Sequence, residues 1–141
     1  ATSEMLNVPA DWRPVAEAYP GLKINICHVG MWKKQGRTQQ SLNDIEQMLN
    51  MLVGYPNVYT DIASASNWNM QTLSEQLYDL KYSAAQRDVF RTKLLFGSHF
   101  YLNNDEKNLI STTESLLNYF KPDKPMLNQI CVHNPMRFLF D

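Results

Sequence analysis

Cysteine is nearly missing from this 141-residue chain, which holds two. Cys27 and Cys131 give no disulfide framework. Their apolar neighbours lead us to expect two buried free thiols in a reducing, cytoplasmic setting. "CVH", from Cys131 to His133, is too short a cluster for a metal motif. Charge of one sign is also missing. The formal net charge is −1, so no basic field points to nucleic acid. No apolar run approaches the roughly 20 residues of a membrane helix. The opening "ATSEMLNVPADW" has no basic region followed by an apolar stretch, so no signal peptide is expected. It also lacks an initiator Met and begins in loop-like sequence, so a processed, truncated or partly observed chain is expected. Neither HxH nor HExxH occurs. There is no low-complexity segment and no domain linker.

The length is that of one domain, and 44% apolar residues can supply its core. Three short apolar runs read as strands buried on both faces: Lys23 to Val29, Asn57 to Ala63 and Lys93 to Ser98. Helices lie between them. Trp12, Val15, Ala16 and Tyr19 fall at helical spacing. Ser41 reads as the N-cap of a helix with Leu42, Ile45, Met48, Leu49 and Leu52 on its apolar face, closed by Gly54. A helical region from Met70 to Phe90 is expected to break near Tyr82 and restart at Ser83. Another helix is expected after Asn104, burying Leu109, Ile110, Thr113, Leu116, Leu117 and Phe120. Two short helices close the chain, one opened by Asp123 and one by Asn134, each with proline in its first turn. The order α-β-α-β-α-β-α makes an α/β domain with parallel strands joined by crossovers.

Polar residues gather where these strands end. The first ends in His28, then Gly30. The second carries Asp61 and then Ser64. The third runs "LLFGSHFY" into His99. In parallel α/β folds the carboxyl edge is where the site is built. Imidazole and carboxylate are ordinary ligands for zinc and similar divalent ions. Gly30 and Gly97 suit close backbone approaches there.

"YPGLKINICHVG", "YPNVYTDIA", "KLLFGSHFY" and "NPMRFLF" together resemble the C-terminal half of the metal-dependent amidohydrolase superfamily. The most similar branch holds the amidohydrolase-2 type hydrolases and the aminocarboxymuconate-semialdehyde-type decarboxylases. The resemblance runs from about Trp12 to Phe140. It implies that residues 1–141 are the C-terminal portion of a (β/α)8 TIM barrel, with strands six to eight and their helices. His28 matches the family's histidine at the end of strand six, which binds metal or contacts substrate. His99 stands where the family usually has the metal-binding aspartate of "FGSDF". Asn134 matches the start of the closing helix, where capping is its implied role. The family's HxH and strand-five histidine have no counterpart in this sequence.

By this resemblance the whole protein is a metal-dependent hydrolase that uses a divalent ion, zinc or manganese, on a small-molecule substrate. His28 and His99 are the expected metal ligands and catalytic residues. Trp32, Asp61, Trp68 and Tyr101 are the expected substrate wall. The alternatives are a carboxy-lyase of the same branch and a catalytically degenerate, non-enzymatic barrel fragment, which the histidine in place of aspartate favours. No nucleic acid or membrane partner is expected. Three strands cannot close a barrel of about eight. Inward-facing residues such as Ile24, Ile26, Tyr59 and Leu95 are therefore expected to need cover from an N-terminal half, or from a second copy in a homo-oligomer.

Overall fold

The structure is a computed structural model that describes residues 8–30, 39–63, 67–79, 81–97, 106–120 and 123–141. Three strands form one parallel sheet in the order β1-β2-β3. They are β1 (Ile24–Ile26), β2 (Val58–Asp61) and β3 (Leu94–Leu95). Ile24 pairs with Val58, Ile26 with Thr60, and Asp61 with Leu95. Parallel neighbours need crossovers, and helices supply them. After α1 (Arg13–Ala18) and β1, α2 (Gln39–Gly54) leads to β2. Then α3 (Asn67–Tyr78) and α4 (Ala84–Lys93) lead to β3. The chain closes with α5 (Glu106–Phe120), α6 (Lys124–Asn128), a π-helical turn (Gln129–His133) and α7 (Asn134–Phe140).

The strands are shorter than their apolar runs. β1 stops at Ile26 because the next residues turn out of the sheet: His28 has φ 60° and Val29 φ 54°. Beyond β3, the Phe96 N–H leaves the sheet for the Ile130 carbonyl at 3.1 Å.

Side chains alternate across a sheet, and the register sorts the expected inward set into two. Ile24, Ile26, Val58 and Leu94 lie on the face that joins the helix-packed core, with Ile45, Met48, Leu49, Leu52 and Phe90. Asn25, Tyr59, Asp61 and Leu95 lie on the other face. The expectation that Ile24 and Ile26 share a face with Tyr59 and Leu95 is thus corrected. Nor is that second face wet at these points, since Tyr59 and Leu95 are both buried. Phe138 of α7 meets the Tyr59 ring edge-on at 5.0 Å between centroids.

Helix ends are tied by long-range side chains. Gly54 does end α2, and the Lys93 ammonium donates to the carbonyls of Leu52 and Tyr55 at 2.5 and 2.6 Å. The Leu52 carbonyl is one of the last four of α2, which a helix leaves without partners; the Tyr55 carbonyl, one residue beyond, also accepts from Val58 N–H. α2 begins at Gln39, so Ser41 lies inside its first turn and does not cap it; glutamines, good helix formers, extend it backwards. Asn57 is buried and donates to the Tyr19 and Leu22 carbonyls at 3.0 and 2.9 Å, beside the end of α1. The break after α3 falls where expected. Ser83 and Gln86 form a reciprocal capping box at 3.2 and 2.9 Å.

The C-terminal segment departs from expectation in an instructive way. Asp123 caps α6 through Met126 N–H at 3.0 Å. Asn134 does not cap the closing helix. The helical path runs through it continuously, and the Asn134 N–H donates to Gln129 O, five residues back. In that register the Ile130 carbonyl would need the N–H of residue 135, which is proline and has none. It accepts from Phe96 instead. The Asn134 side chain is fully buried and donates to Arg91 O and Leu94 O, both at 2.7 Å. "NPM" therefore joins the last helices to the α4–β3 junction.

Two further expectations need adjustment. On α5, Leu116 and Phe120 are buried, but Ile110 and Leu117 are 55% and 42% exposed. Among the described elements α5 packs on α3 and α6, which cover less than the full apolar stripe. Cys27 is half-buried and Cys131 is exposed, because Ile130 takes the inward position of the π turn. Asn104 lies outside the described residues. No helix among the described residues is long and apolar enough to cross a membrane.

Candidate functional site

The carboxyl end of β1 is held in an unfavourable backbone. His28 has φ 60° and ψ 30°, and Val29 has φ 54° and ψ 32°. Two successive non-glycine residues in the left-handed region, one of them β-branched, cost on the order of 1–3 kcal/mol each. Val29 is buried in the core, which anchors one end of the turn.

Asp61, at the end of β2, anchors the rest. Its side chain is next to β1 because β1 and β2 are parallel neighbours. Oδ1 accepts the His28 N–H at 3.1 Å and the Ala63 N–H at 3.0 Å. Oδ2 accepts from Asn25 Nδ2 at 2.7 Å. The residue is 7% exposed. A carboxylate with three N–H donors is well compensated for its burial.

The His28 ring is oriented by the same neighbour. Nδ1 lies 2.7 Å from the Ala63 carbonyl oxygen. A carbonyl only accepts, so Nδ1 carries the proton and the ring lone pair sits on Nε2. This is the second-contact pattern of a metal-ligating imidazole.

The third strand supplies space. A Cβ on Gly97 would lie 3.0 Å from Ala63 Cβ and 3.5 Å from Asp61 Cγ. Glycine lets the chain after β3 approach both groups, which is the role expected of it from sequence.

Cys27 completes the described surroundings. Asn25 Nδ2 lies 3.9 Å from its Sγ. Burial first, then the negative charge of Asp61 and a hydrogen bond to it, push the Cys27 thiol up to about 11. The thiol stays protonated near neutral pH and is a poor nucleophile there. Asn25 Oδ1 is buried and has no partner among the described residues.

The structure thus brings together two of the residues singled out by sequence, His28 and Asp61. Trp32, His99 and Tyr101 lie outside the described residues. Trp68 falls in the first turn of α3, with its side chain outside the described part. Sequence reasoning passed over Asn25 and Ala63. Asn25 had a signal, as the one amide inside the run "INI". Ala63 had none, because it acts through its backbone. Among the described residues no three His, Cys, Asp or Glu side chains converge as a metal site. An Nδ1–H bonded to a carbonyl is compatible with metal ligation by the same imidazole, whereas both Asp61 oxygens accept N–H donors. A cavity of about 400 Å3 lined by Arg13, Glu17, Gln47, Asn50 and Tyr55 lies by the end of α2. That is the opposite edge of the sheet from His28.

A parallel sheet flanked by helices, with an imidazole bonded in place at the carboxyl edge, defines an α/β protein. The amidohydrolase family model matches residues 7–140, nearly the whole chain, and the chain belongs to that family. No curated protein and no solved structure matches it.

Proposed function

We propose that residues 1–141 form strands six to eight, with their helices, of one (β/α)8 barrel domain, and that the whole protein is a metal-dependent hydrolase. The observation that carries this reading is His28. It stands at the carboxyl end of a parallel strand with Nδ1–H bonded to Ala63 O, so Nε2 is the donor atom. Membership of the amidohydrolase family supplies the reaction class.

In this reading His28 Nε2 and His99 hold a divalent ion, zinc or manganese. Such an ion polarises a substrate carbonyl or lowers the pKa of bound water. The chain's own described residues do the positioning. Asp61 fixes the turn, Ala63 fixes the tautomer, and Gly97 lets the chain after β3 pack closely against both. By the family resemblance, Trp32, Trp68 and Tyr101 are the residues for a small-molecule substrate wall. The remaining strands come from an N-terminal half of the barrel or from a second copy. The protein works in the cytoplasm, where Cys27 stays a thiol.

A second reading is favoured by one observation, the histidine at position 99 where the family carries aspartate. A neutral ligand in place of an anionic one lowers the charge available to a dication. In that reading the barrel is a non-catalytic relative. The carboxy-lyase reaction of the same branch is the remaining alternative, distinguished by release of carbon dioxide.

The test is elemental analysis of the full-length protein, with and without His28→Ala. Stoichiometric zinc or manganese that falls sharply in His28→Ala, with folding kept, supports the enzyme reading. A metal-free protein that cannot be reconstituted supports the non-catalytic one. His99→Asp is expected to raise metal affinity; unchanged metal content and activity would place His99 outside the site.

A further inference from the structure

We propose that Asp61 is a positioning residue for His28, fixing which imidazole nitrogen carries the proton without itself contacting ligand or substrate. Its functional meaning rests on the reading of His28 as a donor to metal.

The argument starts from the strained turn. His28 and Val29 keep left-handed dihedrals that neither would hold alone. The contact that can enforce them at His28 is its own backbone N–H, and Asp61 Oδ1 takes it at 3.1 Å. The same oxygen takes the Ala63 N–H at 3.0 Å. Ala63 in turn accepts the His28 Nδ1–H at 2.7 Å. The three residues close a ring of contacts: Asp61 to the His28 backbone, the His28 ring to Ala63, and Ala63 back to Asp61. Asn25 grips the second carboxylate oxygen at 2.7 Å, so the carboxylate cannot rotate away. One side chain therefore fixes both the backbone that carries the imidazole and the carbonyl that orients it.

The acceptor on Nδ1 is a neutral carbonyl, not the carboxylate. Asp61 thus acts on the ring by geometry and tautomer choice. This assigns Asp61 to the support of the site and takes it out of the substrate wall.

The experiment follows the His28 tautomer by long-range proton–nitrogen NMR of the metal-free full-length protein. It is run in alkaline buffer, where imidazoles are neutral. The unaltered protein should show His28 as the Nδ1–H form. Asp61→Ala should mix in the Nε2–H form and weaken binding of zinc alone by about 10- to 100-fold. Asp61→Asn keeps an oxygen for the two backbone N–H groups and should largely retain the tautomer. Asn134→Ala, which removes a buried tie far from His28, should lower stability and leave the tautomer alone. An unchanged tautomer in Asp61→Ala, or an equal shift in Asn134→Ala, overturns the proposal. If Asp61→Ala does not fold, Asn25→Ser releases Oδ2 and should give a smaller shift in the same direction; no shift there also overturns it. A tautomer lost in Asp61→Ala, in a protein that binds no zinc at all, upholds the positioning role and sinks the metal-hydrolase reading.

Discussion

Replacing Gly97 by alanine tests whether the three strand ends meet as closely as described. The backbone at Gly97 is not left-handed, so alanine brings no conformational penalty there. What it brings is a methyl 3.0 Å from Ala63 Cβ, tighter than ordinary van der Waals contact. The partner is a methyl fixed to backbone, so relief requires Ala63 to shift by a few tenths of an ångström. Overpacking of this kind costs about 1–3 kcal/mol. Ala63→Gly alone should also destabilise, by about 1–2 kcal/mol, through backbone entropy and a lost methyl. Together the two changes should partly cancel. With the Ala63 methyl gone, the next contacts of the new Cβ are Asp61 Cγ at 3.5 Å and Ala63 Cα at 3.6 Å, both ordinary. The double variant should therefore be more stable than the sum of the singles predicts, with a coupling of about 1–2 kcal/mol. Urea unfolding of the full-length protein measures all four corners. Gly97→Ala alone should also disturb the His28–Ala63 hydrogen bond, visible in the His28 ring resonances. Additivity within about 0.5 kcal/mol would refute the close approach.

The remaining predictions concern the thiols, a buried lysine and assembly. Cys27, held at about 11, should alkylate slowly in the native protein at mildly alkaline pH, and exposed Cys131 much faster. Peptide mass spectrometry after iodoacetamide checks this, and equal rates would contradict the site geometry. Burial pushes Lys93 down to about 8. The unfolded chain, with its ordinary value of 10.5, then binds more protons than the folded one between those two values. Linkage therefore makes this lysine's contribution to stability rise with pH through that window. The stability difference between the protein and Lys93→Met should grow as pH rises from about 8; a flat difference would show that the two carbonyls fully offset burial. β1 and β3 each pair with β2 alone among the described strands, and Val132, Met136, Leu139 and Phe140 are all more than half exposed along the last helical turns. Each such side chain still offers about 1–2 kcal/mol on full burial. Residues 1–141 in isolation should therefore self-associate in sedimentation, whereas a monodisperse, cooperatively folded monomer would refute that.

Much of the architecture is legible in the sequence because it rests on local pattern. The α2 stripe Ile45, Met48, Leu49 and Leu52 is fully buried, as its period demands. Ser83 and Gln86 form a capping box that depends on nearby residues alone. What escapes local reading is decided by distant partners. "CHVG" continues an apolar run, and nothing in it announces that a carboxylate thirty-three residues on will capture the His28 N–H. Asn134 followed by proline looks like a helix start. It is a buried tie, because Arg91 and Leu94 offer it carbonyls and Ile130 finds Phe96. That His28 and Asp61 stand near one another was legible from their position at strand ends. The bonds between them were not, because they run through the backbone of His28 and Ala63.

The dipeptide Thr60–Asp61 shows how fold and site are joined. Consecutive strand residues point to opposite faces. Thr60 faces the helices and is fully buried, and its hydroxyl donates to the Ile26 carbonyl at 2.6 Å. Asp61 faces the other way and takes the N–H of His28. The last residue of β1 and the turn beyond it are therefore gripped from both sides by one central strand. Ile62, next along, donates its N–H to Leu95 O at 3.1 Å and ties the same segment to β3. Three successive residues of β2 and its exit thus reference His28 to the helix layer, to the opposite face and to the third strand. The hold on the turn after β1 thus comes from the central strand of the sheet.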